Sequence, residues 1–212
     1  MSVTVPSGML DDQGVNSLAS SVRDCSHYPG MRAKRISGKH IDLREVEVTD
    51  AEYILSLRLD PRHARYLSPT SSDAQSQRDW ILKYQRRFDQ AYFVAESRES
   101  IPRPCGTVRL YDPVGNSFSW GSWLLGDNAP SFAAIESALI VYDYGFNVLG
   151  FSASHFEVLR ENMKVCAFHE RFGARQVGED TRLKYYNLTR EDYIRLRTKY
   201  ARYALEKIAI VL

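Results

Sequence analysis

The sequence lacks the features of several protein classes. It contains no apolar run of about eighteen residues, the length that a membrane-spanning helix requires. Its three cysteines, Cys25, Cys105 and Cys166, match neither a disulfide framework nor a zinc site. The first residues lack the basic start and the apolar stretch of a secretory signal. We therefore expect a cytoplasmic, reducing location, no membrane contact and no bound metal.

An excess of charge of one sign is also missing. The chain has 28 Lys and Arg against 26 Asp and Glu, a formal net charge of +2. This excess does not indicate a nucleic-acid partner, so recognition of an anionic ligand must depend on local arrangement. What is present is ordinary for a globular protein. The 212 residues, of which 44% are hydrophobic, suffice for one compact α/β domain.

The composition divides the chain into three parts. Residues 1–38 are rich in Ser, Gly and Asp, and we predict a partly disordered N-terminal extension with a short helix near 14–23. The compact domain is expected to cover 39–190, beginning near His40. A C-terminal helix over 191–212, opened by Thr189, is expected to pack on this domain. Oligomeric state is left open between a monomer and a homodimer.

Hydrophobic periodicity predicts the order of elements within the domain. Alternation predicts strands over 41–46, 92–95, 106–111, 118–125, 155–159, 174–178 and 182–188. Helical spacing predicts a helix that Thr49 caps, a second helix over 72–88, a buried helix over 131–149 and a helix over 162–172. A strand–helix–strand–helix unit after an antiparallel meander needs a mixed sheet with helices on both faces, hence an α/β fold.

The helix predicted over 162–172 carries an unusual stripe. At about 100° per residue, one narrow stripe contains Asn162, Cys166, His169 and Gly173. Capping accounts for Asn162 at the helix start and for Gly173 at its end. Neither capping nor core packing accounts for His169. The histidine is therefore a candidate functional residue.

Three segments resemble one family. FHERFGA at 168–174, preceded by Asn162, resembles the signature of the GNAT N-acetyltransferases. AAIESAL at 133–139 resembles the cofactor-binding helix of their ribosomal-protein-acetylating branch, and IDLREV at 41–46 resembles the start of that branch. The resemblance covers roughly 40–190. It implies the GNAT fold, a mixed, mostly antiparallel sheet with a splayed central strand pair, and acetyl-CoA as co-substrate.

The resemblance also implies a cofactor site. Backbone groups of Trp123, Leu124 and Leu125 would bind the pantetheine arm. The pyrophosphate would meet amides at a helix N-terminus, which favours anions, and further contacts would come from the following helix. These positions are Ser131, Phe132, Ala133, Ala134, Asn162, Lys164 and Phe168. One departure is that the loop GDNAPSF at 126–132 lacks the glycines common in the family, although Ala133 and Ala134 are small.

The resemblance places His169 where many relatives carry a tyrosine that protonates the departing CoA thiolate. The ordinary pKa of a thiol is about 8.5 and that of imidazole is about 6.5. An imidazolium is therefore the stronger acid and can donate this proton to the thiolate. The base that deprotonates the amine is assigned to Glu157 or His155, which share a face of one strand. Glu136 and Asp127 stay open as alternatives.

The acceptor is expected to be a small-molecule primary amine. The helical pair that walls the acceptor pocket in relatives contains Arg58, Tyr66 and Trp80, and Trp120 joins them. GTVRLY at 106–111 and WGSW at 120–123 resemble sugar-modifying members, which favours an amino sugar or nucleotide sugar. Two alternatives are acetylation of a protein N-terminus and a non-catalytic CoA-binding regulatory module.

Overall fold

The computed structural model describes residues 30–212, and most of the predicted N-terminal extension lies outside them. One nine-stranded sheet has the strand order β7-β8-β6-β5-β4-β3-β2-β1-β9. Its strands are β1 Arg35–Ser37, β2 Ile41–Glu45, β3 Ala91–Ser97, β4 Arg103–Val114, β5 Ser117–Leu125, β6 Ala153–Leu159, β7 Arg175–Glu179, β8 Leu183–Thr189 and β9 Ala209–Val211. β5 and β6 pair in parallel, and every other neighbouring pair is antiparallel. The predicted mixed, mostly antiparallel sheet is confirmed.

Six α-helices lie on the two faces of the sheet among the described residues. They are α1 Ala51–Leu59, α2 Pro61–Ala64, α3 Ala74–Tyr84, α4 Ala133–Asp143, α5 Met163–Arg171 and α6 Arg190–Lys199. Side-chain caps open several of them, as with Asp73 before α3 and Thr189 before α6. None of the helices within 30–212 is long and apolar enough to cross a membrane.

Two hydrophobic cores hold the helices against the sheet. The larger core joins one face to α4, α5 and α6 and contains aromatic residues such as Phe93, Phe118 and Tyr142. The smaller core joins the other face to α1 and α3 through Ile54 and Ile81. Because α1 and α3 cover only part of that face, the sheet has one closed face and one partly open face. We call them the closed face, under α4 and α5, and the open face.

The sheet extends beyond the limits that the sequence predicts. β1 lies before the expected domain start near His40, and its Ile36 is fully buried. At the other end α6 stops at Lys199, and β9 pairs antiparallel with β1, Ile210 opposite Ile36. Strands of three residues are too short for periodicity to reveal. Their pairing depends on the tertiary fold, so the expected helix over 191–212 is only partly helical.

Two helix boundaries also differ from expectation. Thr49 does not cap α1, because a 3-10 turn over Val48–Asp50 precedes it, and the Asp50 carboxylate accepts a 2.7 Å hydrogen bond from the Glu47 amide. The helix predicted over 131–149 is α4 followed by a π-helical segment, Tyr144–Val148. Gly145 lies in that segment, where an added Cβ would collide with the Phe118 ring.

Candidate active site

The parallel strands β5 and β6 separate along most of their length. They pair only at Ser117 with Ala153 and at Phe118 with Ser154. Beyond that point each strand pairs only with its outer neighbour: β6 pairs with β8, and β5 pairs with β4. The facing edges of residues 120–125 and 155–159 therefore form no ladder with each other. A wedge of unpaired backbone donors and acceptors opens in the middle of the sheet.

A β-bulge lies on β5 at this wedge. Thr107 pairs with Leu124 and Arg109 pairs with Gly121, so β5 has one extra residue between the two pairs. Ser122, within the bulge, has a φ of 46°, the left-handed region that non-glycine residues rarely adopt. The Thr107 hydroxyl donates a 2.8 Å hydrogen bond to the Ser122 carbonyl and holds this conformation. Bulges of this kind redirect backbone groups beside functional sites.

A cleft of about 180 Å³ occupies the wedge. It is lined by the segment after α1, by both separated strands, by Asn162 before α5 and by one side of α5. The lining residues are His63, Tyr66, Leu67, Trp120, Gly121, Ser122, Trp123, Leu124, Phe156, Glu157, Val158, Leu159, Asn162, Val165 and His169. The cleft thus joins the segments that the sequence assigns to donor, acceptor and catalysis.

His169 lies at the closed face of the cleft inside a group of aromatic rings. Its ring centroid is 4.3 Å from that of Phe156 and 5.3 Å from that of Trp120, and only 5% of the residue is exposed. Nδ1 is buried and has no hydrogen-bond partner among the described residues. Burial lowers the pKa of His169 to about 3, because no charged group compensates for the lost water. The imidazole is therefore neutral at physiological pH.

The ends of α5 follow the predicted capping. The Asn162 side chain accepts a hydrogen bond from the Val165 amide, and Gly173 has a φ of 89° just beyond the helix. The stripe that contains Cys166 and His169 is the buried side of the helix. Asn162, at the start of that stripe, lines the cleft.

Glu157 and His155 share the open face of β6, as the two-residue period requires, but only Glu157 lines the cleft. The Glu157 side chain is exposed. His155 is engaged elsewhere. Its Nδ1 lies 2.8 Å from the Ser117 hydroxyl, and its Nε2 lies 3.4 Å from the Asp112 carboxylate.

The two alternative carboxylates have structural partners. Glu136 is fully buried in α4 and accepts hydrogen bonds from the His40 amide at 2.6 Å and the Ile41 amide at 3.1 Å. Asp127 forms an ion pair with Arg62. Glu136 therefore joins α4 to the start of β2, and Asp127 joins the loop after β5 to α2.

Hydrogen bonds fix the loop between β5 and α4, which lacks the glycines common in the family. The Asn128 side-chain Nδ2 donates to the Pro104 carbonyl at 2.8 Å, and the Ala129 backbone amide donates to the Gly126 carbonyl at 3.0 Å. α4 then begins at Ala133, which is fully buried. In this first turn the Ala133 amide donates to the Pro130 carbonyl at 2.8 Å and the Glu136 amide to the Phe132 carbonyl at 3.0 Å. The Ala134 and Ile135 amides are therefore the donors that this end of α4 keeps for an anion.

The structure places the predicted site residues in two groups. Those that line the cleft are His169, Glu157, Trp123, Leu124, Asn162, Tyr66 and Trp120. Those that lie outside its lining are His155, Leu125, Ser131, Phe132, Ala133, Ala134, Lys164, Phe168, Arg58 and Trp80. Phe168 supports the cleft from behind, with its ring 4.8 Å from that of Trp123. Phe132 packs against His40, with ring centroids 4.8 Å apart.

Sequence reasoning missed His63 and Leu67. His63 lies in α2, a helix of four residues, and its Nε2 is 3.1 Å from the Leu125 carbonyl oxygen. Periodicity cannot identify so short a helix. The signal that was present is the Asp60–Pro61 pair, in which Asp60 caps α2 by accepting from the Arg62 amide.

Comparison with known proteins places this architecture in one family. The family model of the acetyltransferase (GNAT) domain matches residues 40–175. The chain belongs to the GNAT family and is an N-acetyltransferase. No sequence among the curated proteins matches it.

Three solved structures illustrate the similarity. Apo FdhC, described as a nucleotide-linked sugar GNAT, is 40% identical with a TM-score of 0.74, over 81% of this chain and 98% of its own. A GCN5-related N-acetyltransferase from Brucella melitensis is 19% identical with a TM-score of 0.68, over 82% and 86%. Mutant forms of the spermidine/spermine N-acetyltransferase SpeG from Vibrio cholerae are 16% identical with a TM-score of 0.59, over 74% and 97%. The last two share the fold.

Proposed function

We propose that the protein transfers an acetyl group from acetyl-CoA to the primary amine of a small molecule, an amino sugar or a nucleotide-linked amino sugar, by direct attack in a ternary complex. The observation that carries this proposal is the separation of β5 from β6 with the bulge at Ser122 between them. This geometry leaves unpaired backbone N–H and C=O groups in the middle of the domain, where they can form hydrogen bonds with a linear thioester.

The residues of the donor side fit acetyl-CoA. The cleft edge of β5 at Trp123 and Leu124 offers peptide groups to the amides of a pantetheine arm. The first turn of α4 follows directly and suits a pyrophosphate, because the Ala134 and Ile135 amides and the helix dipole favour anions. Ala133 and Ala134 permit close approach where the loop lacks glycine. Lys164 is exposed on α5, next to Val165 of the cleft lining, and supplies a positive charge there.

Acetyl-CoA, the donor of GNAT proteins, supplies an activated acetyl thioester. We assign polarisation of its carbonyl to a backbone N–H at the bulge around Ser122, a fixed donor of the oxyanion type. The amine nitrogen forms the new C–N bond as the C–S bond breaks. Of the two protons that the ammonium group loses, one leaves through the base and the other ends on the thiol.

Glu157 is the base that this geometry favours, because it lines the cleft whereas His155 is bonded to Ser117 and faces Asp112. His169 has a narrower role than the resemblance implies. A neutral imidazole, with a pKa of about 3, offers the sulfur a hydrogen bond from N–H but carries no spare proton. We assign His169 to stabilising the departing thiolate by that hydrogen bond.

The acceptor class is inferred from likeness. FdhC, whose description is a nucleotide-linked sugar GNAT, shares 40% of its residues with this chain over most of both lengths. The cleft wall on the side of α2 contains Tyr66 and Leu67, a ring and an apolar group of the kind that pack against sugars and bases.

Release of free CoA thiol, measured with a panel of acceptors, tests the proposal. The panel contains nucleotide-linked amino sugars, free amino sugars, spermidine and short peptides with free N-termini. Turnover with an amino sugar or its nucleotide-linked form, exceeding that with spermidine and peptides by about 100-fold in kcat/KM, is the expected result. Preference for peptides would support N-terminal acetylation instead. Binding of acetyl-CoA without turnover on any amine would support a regulatory module.

A further inference from the structure

Arg109 is a largely buried cation that has no ion pair within the described part of the chain. It lies on β4 between Tyr92 of β3 and Gly121 of β5. Its Nε is buried, and within residues 30–212 the guanidinium forms no hydrogen bond and no ion pair. Burial lowers the pKa of Arg109 below its usual value. A desolvated charge without a partner destabilises a fold, so stability does not account for Arg109.

Another arginine of the same sheet, Arg44, does form ion pairs. Arg44 on β2 is also largely buried, but it binds Asp50 at 2.8 Å and Glu96 at 2.9 Å. The carboxylate in electrostatic reach of Arg109 is Asp89, and it is bound by Arg87 with a 2.6 Å hydrogen bond. Within the described residues the fold thus gives Arg44 two ion pairs and gives Arg109 none.

Aromatic rings hold the Arg109 guanidinium in position. Its central carbon lies 5.3 Å from the centroid of the Trp80 ring and 4.7 Å from that of the Tyr111 ring. Trp80 comes from α3 and is 36% exposed, so one side of this arrangement reaches solvent. Stacking of this kind orients the planar fork of an arginine without consuming its hydrogen-bond donors.

The Arg109 site adjoins the cleft. Gly121, which pairs with Arg109, lines the cleft, and an added Cβ there would lie 3.0 Å from the Tyr111 hydroxyl. The missing side chain lets the Tyr111 ring lie across β5. The arginine and its rings therefore border the open face of the cleft.

A second arginine converges on the same place. Arg58 of α1 donates from Nε to the Thr70 hydroxyl at 2.9 Å and has no carboxylate partner within the described residues. Burial raises the pKa of Tyr92, and the charges of Arg58 and Arg109 both oppose that rise. Arg109 lies opposite Tyr92 in the pairing of β3 with β4, and the charges of both guanidinium groups act on Tyr92, which packs on the open face of the sheet.

We propose that Arg109, oriented by Trp80 and Tyr111 and assisted by Arg58, binds the phosphate of a nucleotide-linked acceptor amine at the open face of the cleft. This inference rests on the proposed function and narrows its acceptor class. A guanidinium fork matches phosphate oxygens with two parallel hydrogen bonds, and the neighbouring rings offer surfaces for a base or a sugar. A polyamine acceptor would meet uncompensated positive charge here and is disfavoured.

Calorimetric titration of the full chain with deoxythymidine diphosphate and with uridine diphosphate measures their Kd values and tests this site without turnover. Arg109→Gln is expected to raise the Kd at least tenfold, and Arg58→Gln is expected to raise it in the same direction. Arg109→Lys keeps the charge but loses the fork, so it should fall between the wild type and Arg109→Gln. Arg103→Gln, at an exposed position of the same strand, is the matched control and should bind as the wild type does.

Protein stability separates binding from a structural role. Arg109 has no hydrogen bond or ion pair to lose within the described residues, and the loss of its stacking on Trp80 and Tyr111 is offset by the removal of a buried charge, so Arg109→Gln should melt near the wild-type temperature. A lower melting temperature, together with an unchanged Kd for both diphosphates, would overturn the proposal. Equal weakening by Arg103→Gln would overturn it as well, since it would show only an effect of net charge.

Steady-state kinetics provide a second, independent test of phosphate binding by Arg109. In Arg109→Gln the KM for a nucleotide-linked amino sugar should rise at least tenfold, with kcat and the KM for acetyl-CoA within about threefold. An equal loss with the free amino sugar would refute phosphate recognition but leave the proposed acetyl transfer intact. A rise confined to the KM for acetyl-CoA would assign Arg109 to the donor instead and would also refute it. Diphosphate binding that depends on Arg109 without transfer to any amine would uphold the site and reject the proposed function.

Discussion

The two faces of the sheet meet at the cleft and differ in charge. On the closed face His169 lies among Trp120 and Phe156, without an ionised neighbour, and burial keeps it neutral. On the open face Arg109 and Glu157 keep their charged groups at or near the cleft. A dry, uncharged wall strengthens hydrogen bonds to developing charge, whereas a charged, wetter wall suits proton removal and the recognition of a polar acceptor. In the mechanism that we propose, the closed face serves donor chemistry and the open face serves acceptor chemistry.

The largest effect should come from removing the base on the open face. Glu157→Gln keeps the size of the side chain but cannot accept a proton, so kcat should fall about 100-fold near neutral pH. The difference in kcat between Glu157→Gln and the wild type should become smaller as pH rises, because the acceptor amine then loses its proton to water without the base. Initial rates of CoA thiol release across pH measure both effects.

Glu161→Gln, an exposed carboxylate in the turn after β6, is the control for Glu157 and should keep wild-type turnover. If Glu157→Gln also keeps it, the base lies elsewhere, and His155→Gln becomes the next variant to assay.

On the closed face, His169→Phe should lower kcat about tenfold and change the Kd for acetyl-CoA by less than about threefold. Phenylalanine preserves the ring packing but lacks the N–H that we assign to the sulfur. His169→Gln, which restores a donor, should recover part of the rate. Stopped-time thiol assays and calorimetry measure the two quantities. Turnover that His169→Phe leaves unchanged would remove the residue from the mechanism.

The closed face should also make the fold sensitive to acid. The pKa of His169 falls from about 6.5 in the unfolded chain to about 3 in the native state. The native state therefore binds fewer protons below pH 6.5, and its stability is full above that pH and declines as pH falls towards 3. Between pH 6 and 4 this residue alone should reduce the free energy of unfolding by about 1.4 kcal/mol per pH unit.

Urea unfolding of the wild type and of His169→Phe at several pH values tests the acid effect. The variant should lose stability less steeply on acidification. Parallel curves for the two proteins would show that His169 does not titrate as its burial implies.

The sequence predicted those parts of the fold and site that depend on local chemistry. Asn162 and Gly173 bound α5 because capping and left-handed φ are properties of single residues and their neighbours. The separation of β5 from β6 and the bulge at Ser122 depend instead on the register between strands distant in the chain. The sequence placed Arg58 and Trp80 near the acceptor only by resemblance. Nothing in it indicated that Arg109 would be buried without a carboxylate.

The most direct test of the central claim, that the wedge between β5 and β6 binds acetyl-CoA, is the melting temperature of three proteins with and without this ligand. At about 100 times Kd, the wild type should gain about 2.7 kcal/mol and melt several degrees higher. Val165→Trp fills the cleft and should lose this gain, whereas Met163→Trp, at a 75% exposed position of the same helix, should keep it. No rise in the wild type, or an equal rise in Val165→Trp, would contradict the account.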